Sequence, residues 1–134
     1  MTEVLIATDA DWVAAEVDAA LASSSTEVAR LRTGREVIDA VSQHPPSLVV
    51  LDMQFGNMGG IATFLHLLQE VEDGRLPPMP VLLLLDRPAD VPLARRVGVD
   101  GWLIKPLDAL RLRRAAKALQ EGGTFYEPSG LASV

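Results

Sequence analysis

The chain has 134 residues, of which 49% are hydrophobic and 22% charged, with 18 acidic against 12 basic residues and a formal net charge of −6. That length supports one good core and no second domain, the apolar share excludes a disordered chain, and the acidic balance gives little support to direct nucleic-acid binding. Cysteine is absent, which excludes disulfides and thiolate metal sites, and neither a secretory start nor an apolar run near the ~20 residues of a membrane span is present, so a cytoplasmic location without membrane insertion is expected.

Short apolar runs alternate with longer amphipathic ones. The first predicted strand covers residues 3–8 and ends at Asp9, and a helix follows over 11–22 with Asp11 placed to cap it. A weaker strand at 26–31 leads to a helix at 34–42, which carries Val37, Ile38 and Val41 and is ended by Pro45 and Pro46. The third strand, 47–51, delivers Asp52 to a glycine-rich turn, and the third helix spans 60–71. Residues 81–85 are apolar on both faces, as a parallel strand buried on both sides must be. A short helix at 91–97, a strand at 101–104 and a basic amphipathic helix at 108–120 complete the chain's repeating pattern. Five βα units predict an α/β fold with a doubly wound five-stranded parallel sheet over residues 1–121. The segment 122–134, rich in glycine and small polar residues, is expected to be a C-terminal tail that is flexible or laid over the surface.

In such a sheet the strand ends meet at one edge, where open α/β folds place their chemistry. Asp9, Asp52 and Lys105-Pro106 end the first, third and fifth strands. Two carboxylates and a lysine can hold a divalent cation, supply a nucleophile and offer a counter-ion to phosphate. The element order, with these residues and the run Gly98–Trp102, resembles the receiver domain of bacterial response regulators over about residues 3–120. The resemblance implies a flavodoxin-like (βα)5 fold and a phosphorelay protein of a two-component system rather than an enzyme, with at most self-catalysed phosphoryl transfer and hydrolysis. It makes Asp52 the acceptor of a phosphoryl group from a sensor histidine kinase or phosphotransfer protein, and Lys105 the phosphate contact. Magnesium (Mg2+) would be held by Asp9, Asp52 and the backbone carbonyl of Gln54, with Asp11 as a further candidate. Pro106 is the expected cis residue, and Trp102 holds the aromatic switch position.

Four departures from the family pattern bear on function. Thr8 stands where the first of two adjacent acids is usual, and it can orient a metal-bound water but brings no charge. Leu85 replaces the Thr or Ser whose hydroxyl binds the phosphoryl group, and Asp86 follows it, where it would repel a phosphate by about 1 to 4 kcal/mol at roughly 4 Å. Gly56 replaces the usual proline. The fourth helix is short and contains Pro92. Two readings follow from the balance. One is a single-domain response regulator that signals by contact with a downstream protein, since no output domain follows residue 121. The alternative is a degenerate pseudo-receiver that acts as a phosphorylation-independent interaction module. A flavodoxin-like redox or nucleotide-binding enzyme lacks its phosphate-cradling loop after the first strand, where Asp9 and Asp11 would repel the ligand.

His44 and His66 lack metal-ligand company and are read as surface or packing residues. Arg111, Arg113, Arg114 and Lys117 suit a solvated face of the last helix. With Arg95 and Arg96 nearby, that face offers the alternative of docking an acidic partner or a second copy through the last helix and strand. Met53, Phe55 and Met58 follow Asp52 and could either pack in the loop or rim a partner surface.

Overall fold

The apolar runs become six parallel strands in the computed structural model, which describes residues 2–128. In chain order the elements are β1 (Thr2–Ala7), α1 (Asp11–Leu21), β2 (Thr26–Leu31), α2 (Gly34–Gln43), β3 (Leu48–Asp52), α3 (Gly59–Glu72), β4 (Val81–Leu85), α4 (Val91–Val97), β5 (Gly101–Ile104), α5 (Ala109–Gln120) and β6 (Phe125–Tyr126). The sheet order is β2-β1-β3-β4-β5-β6. The order reverses between β1 and β3, so their C-terminal ends frame a crevice open to ligands. β3 and β4 lie at the centre of the sheet, and every residue of both is buried.

Alternation along the strands divides the core in two. Leu5, Ala7, Val49, Leu51, Leu83 and Leu85 pack with Val37, Phe64 and Ala94, on the side of α2, α3 and α4. Val4, Ile6, Leu48, Val50, Leu82 and Leu84 pack with Val13, Val17, Leu112 and Leu119, on the side of α1 and α5. Helix starts follow local chemistry. Thr33 caps α2 by accepting from the Glu36 N–H, while the Glu36 carboxylate accepts from Arg32 N and the Thr33 hydroxyl. Asp108 caps α5 by accepting from the Arg111 N–H. Pro92 sits in the first turn of α4, where a missing N–H costs nothing, and a 3-10 turn over Pro88–Asp90 leads into it. Among the described residues, no helix is long and apolar enough to cross a membrane.

One expectation is corrected. Asp11 does not cap α1, because the cap residue is Ala10 and makes no side-chain bond. Asp11 is instead the first helical residue, and its carboxylate turns to Arg30 at 2.6 Å. The sheet also has a sixth strand, since Phe125 and Tyr126 pair in parallel with Gly101 and Trp102. Residues 125–127 therefore lie along the β5 edge, while 129–134 lie outside the described residues.

The start of α3 comes very close to the end of β3. A Cβ on Gly60 would overlap the Asp52 carbonyl oxygen and lie 2.7 Å from a Leu83 methyl. The Gly60 position therefore sets how near the glycine-rich turn can lie to Asp52. Gly60→Ala is expected to lower stability by about 1 to 3 kcal/mol, the usual cost of overpacking a close contact. Urea unfolding measures this, and an unchanged midpoint would show that the turn can relax.

Candidate functional site

β3, β4 and β5 are neighbours, with Asp52 opposite Leu84 and Leu85 opposite Ile104, so Asp52, Asp86 and Lys105 leave adjacent strands at one edge. The Lys105–Pro106 peptide is cis. Lys105 Nζ donates to Asp52 Oδ1 at 2.5 Å and to Asp86 Oδ1 at 2.6 Å. One ammonium is thus shared by two carboxylates, one buried and one at the surface. The other oxygen of Asp52 accepts from the Thr8 hydroxyl at 2.7 Å. Asp52 is only 2% exposed, yet both its oxygens are partnered. Among the described residues, no buried side-chain polar atom lacks a partner.

Thr8 is wholly buried, and its hydroxyl also accepts the Ala10 N–H at 3.0 Å. Its carbonyl accepts two bonds from Arg30, whose third nitrogen holds Asp11. Arg30 and then Arg32 keep the Asp11 carboxyl below the usual aspartate range, and the group is fully exposed. Asp11 is accordingly withdrawn from the pocket, against the expectation that it could reach a metal there. Asp9 Oδ2 accepts the Gly56 N–H at 2.5 Å. Proline at position 56 could not make this bond, and Gly56 has φ +53°, so the departure at 56 gives Asp9 a tether to the turn after Asp52.

Leu85 turns away from the pocket into the core, where it joins the cluster that contains Trp102. Trp102 is 2% exposed. Its indole N–H donates to the Glu127 carbonyl at 2.7 Å, its ring lies 4.5 Å from that of Tyr126, and Arg95 sits 5.6 Å above it. Phe55 is buried, whereas Met58 is partly exposed, so the residues after Asp52 form no continuous apolar rim. His66 pairs with Glu70 at 3.5 Å, and His44 is exposed at the end of α2. Arg111 leaves the expected solvated face and binds Glu127, Asp108 and the carbonyls of Ile104 and Pro106.

The sequence profile of the response regulator receiver domain matches residues 4–117. The chain belongs to that family. It is 27% identical over 97 residues to the transcriptional regulatory protein DegU of Brevibacillus brevis, covering 71% of this chain but only 39% of that protein's length. It is 25% identical to the polar-differentiation response regulator DivK of Brucella ovis, covering 72% of this chain and 77% of the relative. The receiver domain of a signal transduction histidine kinase from Syntrophus aciditrophicus superposes with a TM-score of 0.78 at 27% identity, covering 91% of this chain and 92% of that one. The chemotaxis protein CheY4 of Vibrio cholerae shares the fold, with a TM-score of 0.75 at 21% identity over 89% of this chain and 98% of that one. Receiver domains are signalling domains that interact with kinases and downstream targets and generally bind magnesium at an acidic pocket.

The oxygen donors present suit magnesium in kind. Asp9, Asp52 and the Gln54 backbone are hard ligands. The set is thin, since Thr8 replaces one acid, and among the described residues no three His, Cys, Asp or Glu side chains gather at metal spacing. Sequence reading missed Glu127 and the inward role of Arg111. The aromatic pair Phe125-Tyr126 was the available sign of a strand, but two residues are too short a run to register.

Burial alone would lower the Lys105 pKa, but its bonds to Asp52 and Asp86 outweigh this and hold it above the usual lysine value. A raised folded pKa means that the pair's contribution to stability is complete below the unfolded value of about 10.4 and is lost as pH rises through the folded one. Asp86→Ala is expected to move the Lys105 titration to lower pH, as followed by nitrogen-detected NMR of Nζ. An unmoved titration would show that Asp86 does not hold the ammonium in solution.

Proposed function

We propose that this receiver accepts a phosphoryl group on Asp52 and signals by contact with another protein. The observation that supports this reading is the 2.5 Å pairing of Asp52 with Lys105 at the open end of the sheet. A carboxylate is a weak nucleophile and repels an incoming phosphoryl group, so a fixed cation beside it is the minimum requirement. In the step, Asp52 Oδ forms a bond to phosphorus, and the bond from phosphorus to the donor's nitrogen or oxygen breaks with its electron pair leaving on the donor. An acyl phosphate results.

Lys105 then follows the charge from the carboxylate to a phosphoryl oxygen. It must loosen its hold on Asp86 to do so, or share itself among three acceptors. The Thr8 hydroxyl fixes one carboxylate oxygen and so helps decide which one faces the donor. Asp9, Asp52 and the Gln54 carbonyl would hold magnesium, which when bound supplies positive charge against the like-charge repulsion. Leu85 offers no hydroxyl to the product, so occupancy of the pocket has no side-chain relay through position 85 to Trp102.

A second reading is a module that binds its partner without phosphorylation. It is favoured by the grip of Asp86 on Lys105 and by the fixed, buried Trp102. Intact mass after incubation with magnesium and a small-molecule phosphodonor separates the two. Wild type is expected to gain one phosphoryl mass while Asp52→Asn gains none. Folded wild-type protein that gains nothing at high donor concentration would leave the second reading in place.

A further inference from the structure

The outer edge of β5 is filled by the chain's own C-terminal segment, and the fit is chemically specific. Phe125 lies opposite Gly101 and Tyr126 opposite Trp102 in a parallel ladder. A Cβ at Gly101 would come within 2.8 Å of the Phe125 carbonyl, so position 101 is shaped for a strand lying close against it. Tyr126 stacks on Trp102 and donates its hydroxyl to the Val99 carbonyl at 3.2 Å. Beyond the two paired residues the ladder is completed by a carboxylate. Glu127 Oε1 accepts the Ile104 N–H at 2.8 Å, and Arg111 grips both carboxylate oxygens, one of them at 2.7 Å.

This carboxylate site is preorganised. Arg111 is also held by Asp108 at 3.1 Å and by the carbonyls of Pro106 at 2.7 Å and Ile104 at 2.8 Å. A forked guanidinium so fixed, beside the Ile104 N–H that also donates to this carboxylate, selects a carboxylate at one register of an added strand. The segment that fills it is short. Among the described residues two pair, Tyr126 is half exposed, and Gly122 and Gly123 precede it, with open space around Gly122 at φ +88°.

We propose that the β5–α5 edge is a recognition site for an extended segment of a partner protein carrying an aromatic residue followed by glutamate, with residues 124–128 as its intramolecular occupant. Main-chain pairing supplies direction, Trp102 the aromatic contact, and Arg111 with the Ile104 N–H the choice of glutamate. The net charge of −6 opposes the close approach of two copies, which favours a different protein as the source of the segment. This proposal stands apart from phosphorylation of Asp52.

The test uses the full chain carrying Trp12→Phe, so that Trp102 is the sole indole, and a capped peptide of residues 124–128 as the probe. Adding Glu127→Ala is expected to raise acrylamide quenching of Trp102 and to expose the Ile104 amide to hydrogen exchange. The peptide should then restore protection saturably. With Glu127 intact it should bind at least about tenfold more weakly, because a tethered segment competes at roughly millimolar effective concentration. A peptide with glutamine in place of glutamate should also lose about tenfold, as expected for removing a charge-assisted bond. Should Glu127→Ala fail to fold, Glu127→Gln tests the same bonds. Unchanged Trp102 quenching in the variant, or no restoration by millimolar peptide, overturns the proposal. So does a wild-type dimer in sedimentation that Glu127→Ala dissolves, since the edge would then belong to a second copy.

Discussion

Among the described residues, Lys105 is the only cation paired with Asp52, and it is not free to serve Asp52 alone. Its ammonium lies 2.5 Å from one carboxylate and 2.6 Å from another, so the pocket is electrostatically closed on itself. Removing water strengthens each contact, and a buried Asp52 with no cation would be costly. The same contacts mean that any anion entering the pocket competes with Asp86 for the ammonium. What this receiver can do at its sheet edge is governed by that competition.

The fold creates the competition by register. Asp52, Asp86 and Lys105 end three adjacent parallel strands, so any residue at position 86 that can reach Lys105 will meet it. The glycine-rich turn then closes over the edge, with Gly60 admitting α3 against the Asp52 carbonyl and the Gly56 N–H holding Asp9. On the far side of β4, Leu85 points into the core and leaves the pocket without a hydroxyl. The edge thus gathers two carboxylates around one lysine, with no hydroxyl at position 85 beside them. Trp102, fixed by Tyr126, Arg95 and Glu127, is coupled to the C-terminal segment rather than to position 85.

Much of this was legible from the residues. The uniformly apolar runs at 48–51 and 81–85 announced central strands, and their ends named Asp52 and Asp86. Local pattern could not tell where a side chain at a strand end would turn. Asp11 looked like a cap or a metal ligand because both need a carboxylate near a helix start, and only the placement of Arg30 on β2 decides against them. Arg111 looked solvated because helical periodicity sees only its own helix, whereas its partner Glu127 is 16 residues away and arrives on a strand of two residues. Long-range pairings of that kind leave no periodic trace.

Phosphoryl chemistry at Asp52 therefore turns on how far Asp86 restrains Lys105. The most direct measurement is the rate of phosphoryl incorporation by Asp86→Ala relative to wild type, at equal phosphodonor and magnesium. A Coulomb term of about 1 to 4 kcal/mol near 4 Å predicts an increase of about fivefold or more. An equal or slower rate in the folded variant would contradict the claim that Asp86 competes for Lys105.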